Sequence, residues 1–114
     1  MNDSVTTNEF MTLAEQEPVN VLDLRDPEFV DSFTSLEGSN VIRIPLTQLP
    51  SSLSQLDRSK TYYLFTHFGV RSKTMAHFLR KQGFQATNVI GGTAAYEKSL
   101  ANQQNELSLI ELSR

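Results

Sequence analysis

The feature that most constrains this chain is a regular succession of short β-branched and apolar runs separated by segments of helical spacing. The runs at 19–24, 41–44, 62–65 and 87–90 (Val-Asn-Val-Leu-Asp-Leu, Val-Ile-Arg-Ile, Tyr-Tyr-Leu-Phe, Thr-Asn-Val-Ile) are of strand length. A further short strand is expected at 4–7. Between the runs, Thr7 reads as the N-cap of a helix over 8–15 that carries Phe10, Met11 and Leu13 and is ended by Pro18. Asp26-Pro27-Glu28 reads as a second helix start, with Phe29 and Phe33 on one face, followed by a loop over 34–40 that turns at Gly38. After Pro45 comes a connector over 46–56 holding a short helix anchored by Leu49, Leu53 and Leu56. A helix over 72–82 places Met75, Phe78 and Leu79 in the core and ends at Gly83 as a left-handed cap. Gly91-Gly92 marks a turn before a last helix over 94–100. Strands alternating with helices through short connections predict an α/β fold in three layers, a mostly parallel central sheet with helices on both faces.

The length of 114 residues suits one domain. We expect it over 1–100, followed at 101–114 by a tail that is polar until Leu107, Leu109, Ile110 and Leu112. That tail reads either as a docking segment, helical or extended, or as a loose end. The chain has no cysteine, which removes disulfides, thiolate nucleophiles, persulfides and thiolate metal ligands together. Its net charge of −3, with Arg71, Lys73, Arg80 and Lys81 as the densest basic stretch, argues against nucleic acid as a partner. No apolar run approaches the roughly 20 residues that span a bilayer, so no membrane partner is expected. Residues 1–7 lack a signal pattern, and the cytoplasm is the expected location. No metal and no cofactor is expected: His67 and His77 are the only histidines, and no His, Asp or Glu cluster has ligand spacing.

In parallel α/β sheets, sites lie beyond the carboxyl ends of strands. That rule points to two places, after Leu24 and after Phe65. The second is followed by Thr66, His67, Phe68, Gly69, Val70, Arg71 and Ser72, a tight loop with one glycine that leads into a helix. Such a loop turns backbone N–H groups inward, the helix N-terminus adds positive potential, and Arg71 can complete the ring with a charge-assisted bond. It is a candidate anion-binding loop; an ordinary strand-to-helix turn is the plainer reading. His67 reads either as a lip of that pocket or as a solvent-facing loop residue, and Phe68 as folding over the pocket or presenting to a partner. His77 reads as a surface or boundary residue. Asp23 and Arg25 read first as a structural salt link and second as supporting residues of the site.

Four segments together resemble the rhodanese family. Thr66-x-x-Gly69-x-Arg71-Ser72 has the spacing of that family's active-site loop, Cys-x-x-Gly-x-Arg-Ser. The run from Val21 to Phe29 is similar to its Asp-x-Arg strand motif, and Ile42-Arg43-Ile44-Pro45-Leu46 to its Ile-Asn-Ile-Pro segment. Gly83-Phe84 and the run from Val89 to Tyr96 resemble its Gly-Phe and Gly-Gly-x-x-x-Trp ending. The resemblance covers about residues 5–100 and implies the three-layer rhodanese-like fold. It departs in three places: Thr66 stands at the cysteine, residues 32–40 keep little of a Gly-His-Ile-x-Gly-Ala segment, and Tyr96 stands at the tryptophan. The cell-cycle phosphatases related to this fold have a longer loop and also use cysteine.

Family members carry sulfur as a cysteine persulfide. A threonine hydroxyl has no anionic form near neutral pH and forms no stable sulfur-carrying intermediate. The resemblance therefore implies a rhodanese-like module without sulfurtransferase activity, more a non-catalytic binder of a small anion or of a protein partner in trans than an enzyme. The alternatives are an enzyme of the sulfurtransferase family with other chemistry in the Thr66–Arg71 loop, and a scaffold whose site has collapsed.

Overall fold

Alternate residues of the central strands face opposite ways, and this places the sheet between two cores. In the computed structural model, residues 3–26, 28 and 39–112 are described, from 104 onward as backbone alone. Five strands, β1 (Ser4–Val5), β2 (Asn20–Asp23), β3 (Asn40–Arg43), β4 (Thr61–Phe65) and β5 (Gln85–Val89), form one sheet in the order β1-β5-β4-β2-β3. All four pairings are parallel, with Leu22 opposite Leu64 and Ile42, and Asn88 opposite Leu64 and Ser4. Leu22, Leu24, Tyr62, Leu64 and Ala86 point to one face, where Ala76 and Leu79 of α2 (Val70–Lys81) and Leu49 cover them. Val21, Tyr63, Phe65 and Val89 point to the other, against Phe10 of α1 (Thr7–Gln16) and Tyr96 of α3 (Gly92–Leu112). Phe10 sits edge-on to Phe65, with ring centroids 5.0 Å apart, and Tyr96 fills the space beside both. The expected three-layer α/β architecture is the one observed.

Several boundaries differ from expectation for identifiable reasons. Thr6, not Thr7, caps α1: its Oγ1 accepts the Glu9 N–H and Glu9 accepts the Thr6 N–H, a reciprocal capping box that needs its acid three residues after the cap. The helix α2 begins at Val70 rather than 72, because Gly69 adopts φ +80° and turns the chain straight into the helix. Its other end is as expected. Gly83 has φ +90°, its N–H donates to Arg80 O, and Phe84 N–H reaches back to Leu79 O, the paired bonds of a Schellman cap. The connector after Pro45 forms two 3₁₀ segments, Leu46–Ser51 and Leu53–Gln55, with Leu49 fully buried and Leu53 and Leu56 packed at the edge of the core. Met75 and Phe78 are only partly buried, while Leu79 is fully so.

Gly92 belongs to α3 rather than to a turn alone, and the helix runs on through 101–112. The side chains of Leu107, Leu109, Ile110 and Leu112 lie outside the described residues, as do Pro27, Phe29, Phe33 and Gly38 with the helix start and loop read there.

Candidate anion-binding loop at the switch point

Strands β2 and β4 are neighbours, yet β2 leads to β3 on one side and β4 leads to β5 on the other. Diverging connections open a crevice beyond the carboxyl ends of the two strands. A cavity of about 410 Å³ occupies it, lined by Leu24, Arg25 and Asp26 after β2, Leu46 and Thr47 after β3, and Thr66, His67, Phe68, Val70 and Arg71 after β4. The two places indicated by the sequence are thus opposite walls of one site.

Thr66 lies at the floor, nearly buried. Its Oγ1 accepts the Gly69 N–H at 3.1 Å and donates to Ser72 Oγ at 3.3 Å. Ser72, wholly buried on the first turn of α2, donates in turn to Asn88 Oδ1, and Asn88 Nδ2 reaches Ser4 Oγ at 3.4 Å. Buried polar groups are stable when each has a partner, and this relay provides them through the sheet edge. No titratable group belongs to it. Asn88 and Ser4 were not among the residues singled out from the sequence; an asparagine inside the strand run Thr87-Asn88-Val89 was the available signal, because a buried amide requires a partner.

The loop is clasped from the other side by α3. Thr93 N–H donates to Thr66 O and Ala94 N–H to His67 O, both at 3.0 Å. This requires backbone-to-backbone contact. A Cβ on Gly69 would lie 2.6 Å from Gly91 N, and one on Gly92 would lie 2.1 Å from Thr66 O. Gly92 therefore serves close approach to the Thr66–Ser72 loop as well as the turn, whereas a Cβ on Gly91 would meet Ala95 of α3 at 2.5 Å.

The first-turn amides of α2 have no partner within the helix and point toward the crevice end. Arg71 is exposed on the rim and makes no ion pair with a described residue. His67 is exposed, lines the same cavity, and sets its ring edge-on to Phe68 at 4.4 Å, so it is both a lip of the pocket and solvent-facing. His77 is exposed on α2.

Asp23 and Arg25 form a link of the structural kind. Asp23 is fully buried, with Oδ1 2.9 Å from Arg25 Nε and Oδ2 3.0 Å from Arg25 Nη2, and the Arg25 N–H donates to Oδ1 as well. Arg43 Nε approaches Oδ2 at 3.7 Å from the rim. The pair also braces the cavity wall, since Arg25 lines it. Among the described residues no group of three or more His, Asp or Glu is placed to hold a metal ion, and no helix is long and apolar enough to cross a membrane.

These features define a class: an open parallel α/β domain whose strand–loop–helix segment sits at the switch point and is clasped by Gly92, Thr93 and Ala94 at the start of the last helix. Residues 6–99 match the family described as "Rhodanese-like domain", and the chain belongs to it. A solved rhodanese-like domain protein from Staphylococcus aureus is 31% identical, with TM-score 0.70, over 84% of this chain and 91% of that one. The structure titled reduced Bacillus anthracis CoADR-RHD is 28% identical, with TM-score 0.75, over 89% of this chain but 17% of that one. Curated relatives named tRNA sulfurtransferase include one from Histophilus somni (strain 2336), 41% identical over 71 residues, which are 61% of this chain and 15% of the relative. One from Shewanella sp. (strain ANA-3) is 34% identical over 90 residues. The chain thus spans a small part of the length of the curated relatives it matches.

Proposed function

We propose that this rhodanese-like domain is a non-catalytic module that holds a small anion in the Thr66–Ser72 loop and transfers no sulfur. The observation that carries this reading is Thr66, whose hydroxyl occupies the floor of the cradle and is already engaged with Gly69 N–H and Ser72 Oγ. Sulfur carriage needs a thiolate to attack the donor and a sulfur atom to hold the persulfide; an alcohol supplies neither, and no cysteine exists elsewhere in the chain. A threonine nucleophile of another type needs a base, and the relay from Thr66 ends in an amide and a serine. What supports anion binding is the retained frame: Gly69 at positive φ, the open first turn of α2 and Arg71 on the rim.

The relatives named tRNA sulfurtransferase favour a second reading, an enzyme of that family with other chemistry in the same loop. One experiment separates them. Wild type and Thr66→Cys are assayed for sulfur transfer from thiosulfate to cyanide, with mass spectrometry for a persulfide and calorimetric titration of thiosulfate. The wild type is expected to be inert and to bind thiosulfate at roughly millimolar affinity, weakened about tenfold or more by Arg71→Gln. Thr66→Cys is expected to gain the persulfide. Sulfur transfer by the wild type refutes the proposal, and a folded wild type that binds no anion refutes the cradle.

A further inference from the structure

The large apolar side chains exposed among the described residues are Phe68, Val70 and Ile90, at 68%, 75% and 51%. Scattered single apolar residues need no explanation, but these are not scattered. All of them line one depression of about 510 Å³ on the β5 side of the loop, together with Lys73 and the backbone of Gly69 and Gly91. Phe68 and Val70 form a ridge shared with the 410 Å³ crevice, while Ile90 and Lys73 lie outside it. Lys73 lines the depression and Arg71, next to Val70 in the chain, is exposed on the crevice side of the ridge; neither pairs with a described acid. Asp3, which precedes the edge strand there, is already paired with Arg80.

We propose that this depression is the docking site for a segment of a partner protein that presents aliphatic or aromatic anchors flanked by carboxylates. The exposed apolar side chains take the anchors, and Lys73 with Arg71 beyond the ridge takes the acids, a pattern in which apolar contact gives affinity and charge gives orientation. A second copy of the chain fits less well, because the lining of the depression includes Lys73 and no carboxylate to meet it in an isologous contact. Nucleic acid also fits less well, since phosphate tracking calls for a basic stripe rather than an apolar floor with cations at one side. The inference shares Phe68, Val70 and Arg71 with the anion reading, while Ile90 and Lys73 take no part in the cradle and so report on the docking surface alone. A partner seated here covers the ridge at the cradle's mouth, so the two sites address one another.

The test is selection of a random peptide library on the full chain, with counter-selection on Ile90→Ser. Enriched peptides are expected to set Asp or Glu beside Leu, Ile, Phe or Trp. A synthetic copy of the leading peptide is expected to bind Ile90→Ser and Lys73→Glu at least about tenfold more weakly than wild type, and its charge-reversed version is expected to prefer Lys73→Glu. Thiosulfate titration of Ile90→Ser should match wild type, which keeps this result distinguishable from the anion reading whichever way that falls. The proposal is overturned by the absence of an enriched motif, by a basic or uncharged motif, or by peptides indifferent to Ile90→Ser. It is equally overturned by self-association in sedimentation that Ile90→Ser abolishes, or by a tRNA transcript that shifts the Ile90 and Lys73 amide resonances.

Discussion

Gly92→Ala is the sharpest single perturbation of the cradle, and Gly83→Ala is its internal control. Both glycines have positive φ, +62° and +90°, so alanine is strained at each. That backbone term is worth about 1–2 kcal/mol. The surroundings then separate them. The new methyl at position 83 meets only the Arg58 side chain, with Nε at 3.3 Å, and no backbone. At position 92 it meets Thr66 O at 2.1 Å, Gly69 N at 2.7 Å and His67 O at 2.8 Å, all backbone. Relief requires α3 to move off the loop, which breaks the bonds from Thr93 N–H and Ala94 N–H. Overpacking of this kind costs about 1–3 kcal/mol, and each lost hydrogen bond about 1 kcal/mol. Gly92→Ala is therefore expected to cost about 4–7 kcal/mol in all, a large share of the roughly 5–15 kcal/mol that stabilises a domain of this size. Urea unfolding followed by circular dichroism measures both variants on one scale, and Gly92→Ala should fall about 3–5 kcal/mol below Gly83→Ala. Equal losses would show that the Gly91-Gly92 pair is only a turn, and the clasp between α3 and the loop would have to be abandoned.

Two further predictions concern ionised groups. Asp23→Asn removes the charge that pairs with the buried Arg25 and is expected to cost about 3 kcal/mol, whereas Asp23→Leu combined with Arg25→Met should recover most of that; a loss below about 1 kcal/mol in thermal unfolding contradicts the structural role. The second concerns Glu9, whose carboxyl is held below its ordinary value of 4.5 by the Thr6 backbone N–H and then by the Thr6 side chain. The folded state thus binds this proton less readily than the unfolded state, so the contribution is present above pH 4.5 and is lost as pH falls through the folded value. The difference in Tm between wild type and Glu9→Gln should shrink as pH drops below 4.5; a difference independent of pH counts against the capping box.

The parts of the fold read correctly from sequence are those with a strong local signal. Buried strands of a parallel sheet are apolar on both faces, so Val-Leu and Tyr-Tyr-Leu-Phe runs stand out without help from tertiary structure. Pro18 and Gly83 act through their own backbone and are equally legible. Errors fell where a second residue decides between neighbours. Thr6 and Thr7 are the same residue type, and only the position of Glu9 selects Thr6 as the cap. The start of α2 lies two residues before the expected one because the positive φ of Gly69, a conformation the sequence of the loop does not reveal, delivers the chain directly into the helix. The helix α3 runs past the expected end at 100 through a polar stretch at 101–106 that carries no amphipathic stripe.

The candidate site divides in the same way. The loop Thr66–Ser72 and the pair Asp23/Arg25 could be placed from sequence because each follows a strand, and strand ends meet at the switch point. Asn88, Ser4 and the clasp by Thr93 and Ala94 arrive from elements that are adjacent only after the sheet has formed, β5 and β1 at its edge and α3 on its far face. Their part in the site is a property of strand order, which no single segment encodes.

The same relay explains why Thr66→Cys is an informative substitution rather than a disruptive one. Threonine at the floor uses its hydroxyl as both acceptor and donor, which keeps Gly69 N–H and Ser72 Oγ satisfied within a nearly closed space. Cysteine places a sulfur where the oxygen stands and gives up one methyl group, with weaker hydrogen bonds to the same partners. The expected loss is about 1–2 kcal/mol, small against the stability of the domain. The clasp from Gly92, Thr93 and Ala94 holds the backbone of Thr66 and His67 and does not depend on the side chain at 66. A thiolate introduced there meets the Gly69 N–H directed at it and a helix N-terminus behind it, both of which favour its charged form. On the reading proposed above, the loop keeps the means of holding a sulfur anion in a chain that has no cysteine, and a persulfide on Thr66→Cys, detected by mass spectrometry, is the expected outcome.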